Sequence, residues 1–204
     1  MARFRKSTIL PVILIIVVIV IAIVTLVSLT RAIFFSGSTK TASTESIITD
    51  KSRDALLNTT LSHSVRATVR GPIVADEQFH SYQITIRPDS RNLTTYSGYL
   101  DKKIQEVALS NNVPGYEEFV YALDKSKLSE GKALTGDKND LRGVCATGRV
   151  YEFEILDNNK AVKQLWTSTC SGSKGSLTAS VPLLIRLFKG QIPDSEKLIS
   201  ALDL

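Results

Sequence analysis

The chain is poor in the side chains that carry most metal and redox chemistry. Among its 204 residues it has two histidines, two cysteines and one methionine. The cysteines, Cys145 and Cys170, are too far apart in sequence to form the C-x-x-C motif of thiol oxidoreductases. Because the two histidines are also distant from them, the spacing of a zinc site is missing. The sequence therefore predicts neither a bound metal nor a cofactor.

Charge is absent from residues 9–29, which are mostly Ile, Val and Leu. As a helix this run extends about 31 Å, and the hydrocarbon core of a bilayer is roughly 30 Å thick. A helix that is apolar on every side is typical of a segment that faces lipid. We therefore predict a transmembrane helix over residues 9–29, with the lipid bilayer as its partner.

Basic residues flank this run unequally. Arg3, Arg5 and Lys6 precede it, and only Arg31 follows it closely. Lys and Arg near a span stay preferentially on the cytoplasmic side, so we expect a cytoplasmic N-terminus and an extracytoplasmic C-terminal domain. The alternative, a cleaved signal peptide, has a shorter apolar stretch and a small-x-small cleavage site, which Arg31 disrupts here. Both interpretations export the rest of the chain.

These predictions divide the chain into a cytoplasmic tail (1–8), the transmembrane helix (9–29), a juxtamembrane tether (30–44) and an exported domain (45–204). Four of the 25 basic residues precede residue 36, and the other 21 nearly balance the 20 acidic residues. A nucleic-acid partner needs a clustered basic face, which the exported part lacks. We therefore expect no nucleic acid, and a partner that is a protein or a cell-wall polymer.

The exported part shows the periodicities of an α+β domain. Alternation of apolar and polar residues predicts strands at residues 65–69, 79–87, 93–99, 151–156 and 162–169. Helical spacing predicts helices at residues 44–61, 100–108, 114–123, 180–188 and 194–202. We expect an antiparallel sheet of about five strands with one face packed on helices. Its core is expected to contain Tyr151, Phe153, Trp166, Ile84, Ile86, Phe119 and Phe188.

The segment whose structure the sequence predicts in most detail is a β-hairpin over residues 144–170. A turn at Asp157-Asn158 would place Cys145 opposite Cys170. In an oxidising compartment this arrangement predicts a disulfide between them. The same register predicts one shared hairpin face that carries Tyr151, Phe153, Ile155, Val162 and Trp166.

Two short segments contain residue types that could support catalysis. Any serine triad must use one of the two histidines, and His80 follows Asp76 and Glu77 closely. The Gly- and Ser-rich loop at residues 171–176 contains Lys174, which lies beside several serines. His80 with Asp76 or Glu77, and Lys174 with a nearby Ser, are therefore the candidate catalytic groups.

The same loop has a second interpretation as an anion site. Its backbone N–H groups and the Lys174 ammonium could bind an anion through Ser173, Lys174 and Gly175. It lacks the full spacing of a P-loop, and a structural Gly/Ser turn remains the alternative.

The leading functional hypothesis is a membrane-anchored extracytoplasmic module with a non-enzymatic binding or structural role at the cell envelope. An envelope hydrolase whose residues converge only in three dimensions is the first alternative. A pilin-like surface subunit is the second, because pilins share an apolar N-terminal helix, an antiparallel sheet and a late disulfide. The pilin leader motif is missing, since no Gly precedes Gly37 and no acidic residue precedes Glu45.

Overall fold

The structure, a computed structural model, describes residues 44–202 and residue 204. The predicted tail, the predicted transmembrane helix at residues 9–29 and nearly all of the tether lie outside the described residues. No helix in the described part combines the length and the apolar character needed to cross a membrane.

In the described residues, six antiparallel strands form a single sheet, one strand more than the sequence predicts. The strands are β1 (His63–Arg70), β2 (His80–Ile86), β3 (Ser90–Ser97), β4 (Lys102–Ser110), β5 (Val150–Asp157) and β6 (Lys160–Ser168). Their order across the sheet is β4-β3-β2-β1-β5-β6. The helices of the described part are α1 (Thr44–Leu57), α2 (Val113–Lys125), α3 (Val181–Lys189) and α4 (Ser195–Ser200). The α+β prediction is confirmed at this level.

One face of the sheet forms the hydrophobic core with the helices, and we call it the helix-covered face. On β1 it carries Val65, Ala67 and Val69, with Ile84 and Ile86 opposite on β2. All five side chains are at most 2% exposed. Burial of a large aliphatic side chain is worth roughly 1.5–3 kcal/mol, so the valine and isoleucine side chains here contribute strongly to folding.

Aromatic rings from α2 and α3 fill the centre of that core. Phe119 of α2 meets Phe188 of α3 edge to face, with ring centroids 5.2 Å apart. Phe153 of β5 lies 5.9 Å from Phe188. The predicted helix at residues 114–123 is confirmed, and it starts where the Asn112 side chain accepts a hydrogen bond from the Gly115 N–H at 2.8 Å.

The predicted helix at residues 100–108 is wrong, because this segment forms strand β4. Its apolar residues have helical spacing, but they are not buried as a stripe: Leu100 is 94% exposed and Ile104 is 52% exposed. Lys103 pairs with Tyr96 and Gln105 with Thr95, so Ile104 occupies a bulge. Backbone pairing with β3 therefore determined the structure here, and the apolar spacing did not.

The predicted register of the β5–β6 hairpin is also wrong. Asp157 pairs with Lys160, so the two-residue turn is Asn158-Asn159, and both of these residues have positive φ. This change of turn alone leaves each side chain on its predicted face. Leu156 pairs with Ala161 and Ile155 with Lys163, however, so Val162 occupies a bulge. The bulge displaces the rest of β6 by one residue and moves its side chains to the opposite face of the sheet.

The new register changes the neighbours of β5. Phe153 lies opposite Leu165, and Trp166 lies opposite Glu152. Trp166 is therefore buried on the other face, outside the main core, contrary to prediction. Val162 is 45% exposed and likewise does not join Phe153. Tyr151 packs at the border of the core.

Helix α1 ends at Leu57, before the predicted limit of residue 61.

Candidate functional site

The second face of the sheet, which we call the polar face, carries charged and amide side chains. Arg66 and Arg70 on β1 alternate with the buried apolar residues of that strand. Glu152 and Glu154 do the same on β5. Because β1 and β5 are neighbours at the centre of the sheet, the two arginines and two glutamates lie side by side.

Residues 139–146, which we call the strap, lie over part of the polar face. Asn139 Nδ2 donates to Gln164 Oε1 on β6 at 2.7 Å. At the other end, the Ile73 N–H donates to the Ala146 carbonyl at 2.8 Å. The strap is therefore attached both to an outer strand and to the segment that follows β1.

A disulfide adds a covalent attachment to the strap. The sulfurs of Cys145 and Cys170 are 2.04 Å apart, in agreement with the predicted pairing. Beside them, Ser173 Oγ donates to the Val144 carbonyl at 2.7 Å. The strap is thus fixed to the chain that follows β6 by a covalent bond and a hydrogen bond.

A groove of about 540 Å³ lies between the strap and the polar face. This volume falls within the range of about 300–1,000 Å³ typical of ligand pockets. The residues of the polar face that line it include Arg70, Glu152 and Gln164, and Phe79 and Tyr99 line it from another side.

A chain of hydrogen bonds connects the polar groups of the groove. Arg70 Nη1 donates to Glu152 Oε2 at 2.6 Å, and Gln164 Nε2 donates to Glu152 Oε1. Gln164 in turn accepts from Asn139. Glu152 is only 6% exposed, and an unpaired carboxylate at such a position would cost several kcal/mol. Both of its oxygens have partners, so the groove presents a fixed array of donors and acceptors.

A second ion pair lies beside the first on the same face. Arg66 and Glu154 are directly opposite on β1 and β5, with Nη1 and Oε2 3.4 Å apart. Burial raises the pKa of the Glu154 carboxyl, and the nearby negative charge of Glu152 raises it further. Glu154 therefore gives up its proton less readily in the folded protein than in water.

The aromatic side of the groove is held in a fixed geometry. The rings of Phe79 and Tyr99 stack with centroids 4.3 Å apart. The Tyr99 hydroxyl donates to the Val74 carbonyl at 2.6 Å and accepts from the Val74 N–H at 3.0 Å. Asp76 Oδ1 accepts from the Tyr99 N–H at 2.8 Å. The ring is therefore anchored through both its hydroxyl and its backbone.

The predicted catalytic group around His80 lies beside this aromatic pair. Asp76 and Glu77 belong to a short 3-10 helix, Asp76–Gln78, and His80 begins β2. Asp76 supports the backbone of Tyr99, as described above. Between residues 44 and 202, no hydrogen bond or ion pair joins His80 to either carboxylate. A catalytic role for these three residues stays a prediction.

The loop at residues 171–176 packs against the end of β6. The carbonyl of Lys174 accepts a hydrogen bond from Thr167 Oγ1 at 2.8 Å, and the Lys174 residue is exposed. Gly175 adopts a left-handed φ of +66° against Trp166. Together with the bond from Ser173 to the strap, these contacts give the loop a structural role. Anion binding by Ser173, Lys174 and Gly175, and catalysis by Lys174, stay predictions.

The polar groups of the groove were not predicted from the sequence. The alternation of Glu152 and Glu154 with apolar residues predicts only a strand with one polar face, although arginines with matching alternation on β1 could have indicated ion pairs. The strap could not be predicted, because it has no periodicity. Within the described ranges, no group of three or more His, Cys, Asp or Glu residues is arranged to hold a metal ion.

No protein-family model matches this chain, and no curated protein matches it in sequence.

Proposed function

We propose that this protein is a single-pass membrane-anchored module whose extracytoplasmic domain binds a ligand in the groove under the strap. The uncharged run at residues 9–29 and the basic residues before it support the anchor and its orientation. The Cys145–Cys170 disulfide supports an oxidising compartment for the domain. The role is binding at the cell envelope, to a protein or a cell-wall polymer.

The groove is the observation that carries the binding role. Its buried carboxylate, Glu152, accepts hydrogen bonds from Arg70 and Gln164, so it is held as a paired acceptor in one geometry. A pre-organised array of this kind loses little conformational entropy when a ligand binds. Such an arrangement favours recognition of a ligand.

Site-specific cleavage in intact cells tests the orientation. A recognition site for a membrane-impermeant protease is inserted into the tether at residues 36–44 of the full chain, and the matched control carries the same site within residues 1–8. We expect external protease to cut the tether site and to spare the control until the cells are lysed. Protection of the tether site in intact cells, with cleavage only after lysis, would overturn the orientation.

Binding to envelope material tests the function without assuming a ligand class. The full chain in detergent is mixed with the wall and membrane fraction of the source organism, and the bound share is measured. Glu152→Gln is expected to weaken binding by about tenfold, because it breaks the ion pair with Arg70. Glu106→Gln, a carboxylate on β4 outside the groove, is the matched control and should bind normally. Equal binding by both variants would refute the groove as the site.

A further inference from the structure

The charges that line the groove balance one another almost completely. They comprise two basic residues and three acidic residues, namely Arg70, Arg142, Asp101, Asp140 and Glu152. Arg70 is paired with Glu152, and Arg142 with Asp140. The side-chain hydrogen bond from Arg142 lowers the pKa of Asp140 to about 2, so that pair stays ionised at neutral pH. A groove with this balance has no excess positive charge to attract phosphates or polyanions.

Because the charges in the groove are balanced, and because it contains both amide groups and an aromatic ring, we propose that the groove binds an uncharged carbohydrate segment. This inference rests on the proposed binding function and names its ligand class. A sugar offers hydroxyl groups that donate and accept hydrogen bonds, together with apolar C–H faces. The groove contains a matching group for each of these features.

The hydrogen-bonding groups of the groove suit hydroxyls. Amide side chains such as Gln164 and Asn139 both donate and accept, and a carboxylate accepts in several directions. Asn139 Oδ1 is buried and has no hydrogen-bond partner among the described residues. An unsatisfied buried acceptor costs about 1–3 kcal/mol, and a sugar hydroxyl relieves this cost once the groups that cover the atom move aside.

The aromatic pair suits the C–H face of a sugar. Tyr99 lines the groove and is 46% exposed, although its hydroxyl and backbone are fixed. An aromatic ring presents a flat apolar surface, and the ring of Tyr99 is already stacked on Phe79. Because the ring is held before the ligand arrives, little rotamer entropy remains to be lost.

An extended peptide fits this groove less well. Peptides that join a sheet do so along the edge of a strand, where backbone N–H and C=O groups are free. Here the floor of the groove is a sheet face formed by β1, β5 and β6, and β1 and β5 are paired on both sides. A ligand on this face therefore contacts side chains, and the sheet offers it no row of free backbone groups.

The test measures binding of soluble, uncharged oligosaccharides, one set built from N-acetylglucosamine and one from glucose. The full chain is kept in a detergent without a sugar headgroup, because a glycosidic detergent would compete for the groove. Titration calorimetry is expected to detect binding of at least one set. Tyr99→Ala should weaken it by about tenfold or more, which corresponds to about 1.4 kcal/mol.

Two variants separate a binding effect from a folding effect. Tyr121→Ala removes a tyrosine of similar exposure on α2, outside the groove, and should bind normally. Tyr99→Phe keeps the ring and loses only the bonds to Val74, so it should retain most of the affinity. Failure of both oligosaccharide sets to bind, or equal loss in Tyr99→Ala and Tyr121→Ala, would overturn the inference.

Competition in the envelope assay distinguishes this inference from the broader function. If the ligand is a glycan, the oligosaccharides that bind should displace the protein from envelope material, and protease treatment of that material should not. If protease abolishes binding and oligosaccharides do not compete, the ligand is a protein. In that case the carbohydrate inference is wrong and the binding module stands.

Discussion

Gly175→Ala is expected to destabilise the domain more than any other glycine substitution that changes only a loop. Gly175 has φ +66°, and an added Cβ would lie 2.1 Å from the carbonyl oxygen of Trp166 and 2.6 Å from a carbon of its ring. The first contact is with backbone, which cannot rotate away. The loop must therefore move off strand β6.

The cost follows from what that movement breaks. The N–H groups of Ser176 and Leu177 both donate to the Trp166 carbonyl at 2.9 Å. Each such bond contributes about 0.5–1.5 kcal/mol, and a left-handed alanine costs roughly 1–2 kcal/mol. We expect the free energy of unfolding to fall by about 3 kcal/mol.

The chain supplies both the probe and the controls for this measurement. Trp166 is the only tryptophan and is buried under the same loop, so its fluorescence during a urea titration of the full chain reports on the perturbed region. Gly136→Ala has φ +60° with no atom within 4 Å of the added Cβ, and it isolates the backbone strain. The Cβ added by Gly172→Ala also has no atom within 4 Å, so this variant is a second control. A difference below about 0.5 kcal/mol between Gly175→Ala and Gly136→Ala would refute the steric reasoning.

Three further predictions concern other parts of the domain. The pKa of Glu154 is raised in the folded state, so ionisation of this group costs stability as the pH rises above its ordinary pKa of 4.5. Glu154→Gln should therefore gain stability relative to the wild type between about pH 4 and pH 7. A difference in unfolding free energy that stays constant with pH in urea titrations would contradict this. Replacement of both Cys145 and Cys170 by Ser should lower the unfolding free energy by about 3 kcal/mol, because the disulfide spans 25 residues. Equal stability of this variant and the oxidised wild type would contradict the expected contribution of the disulfide. Leu100→Lys should change stability by less than about 0.5 kcal/mol, because Leu100 is 94% exposed in the turn before β4. Leu93→Ala, at a position 1% exposed on β3, should cost about 2–5 kcal/mol, and similar losses for both variants in thermal melts would show that the turn into β4 is placed wrongly.

The parts of the fold that were predictable are those where one physical signal dominates. On β1 the alternation of Val65, Ala67 and Val69 with polar and charged residues favours a strand with one buried face. On α2 an apolar stripe, a proline in the first turn and Asn112 as the cap agree with each other. Where all local signals agree, the sequence alone is sufficient.

Prediction failed where the decisive interaction is distant in sequence or depends on register. Residues 100–108 have helical spacing, but pairing with β3 outweighs that local preference. Trp166 lies on the face opposite to the predicted one because a bulge at Val162 displaces the rest of β6 by one residue. The groove depends on this same register, since it places Gln164 next to Glu152 on the polar face. The site could not be derived before the register was known.

The position of β1 has a consequence for how the chain reaches its native state. Of the six strands in the described residues it is the first to be synthesised, yet it lies in the interior of the sheet, between β2 and β5. Its pairing with β2 is local, but its pairing with β5 joins His63 to Asp157, across most of the domain. A chain that ends before residue 150 therefore leaves one edge of β1 unpaired, and its free backbone N–H and C=O groups can pair with a strand of another molecule. Premature termination in this gene is expected to yield aggregates rather than a smaller working protein.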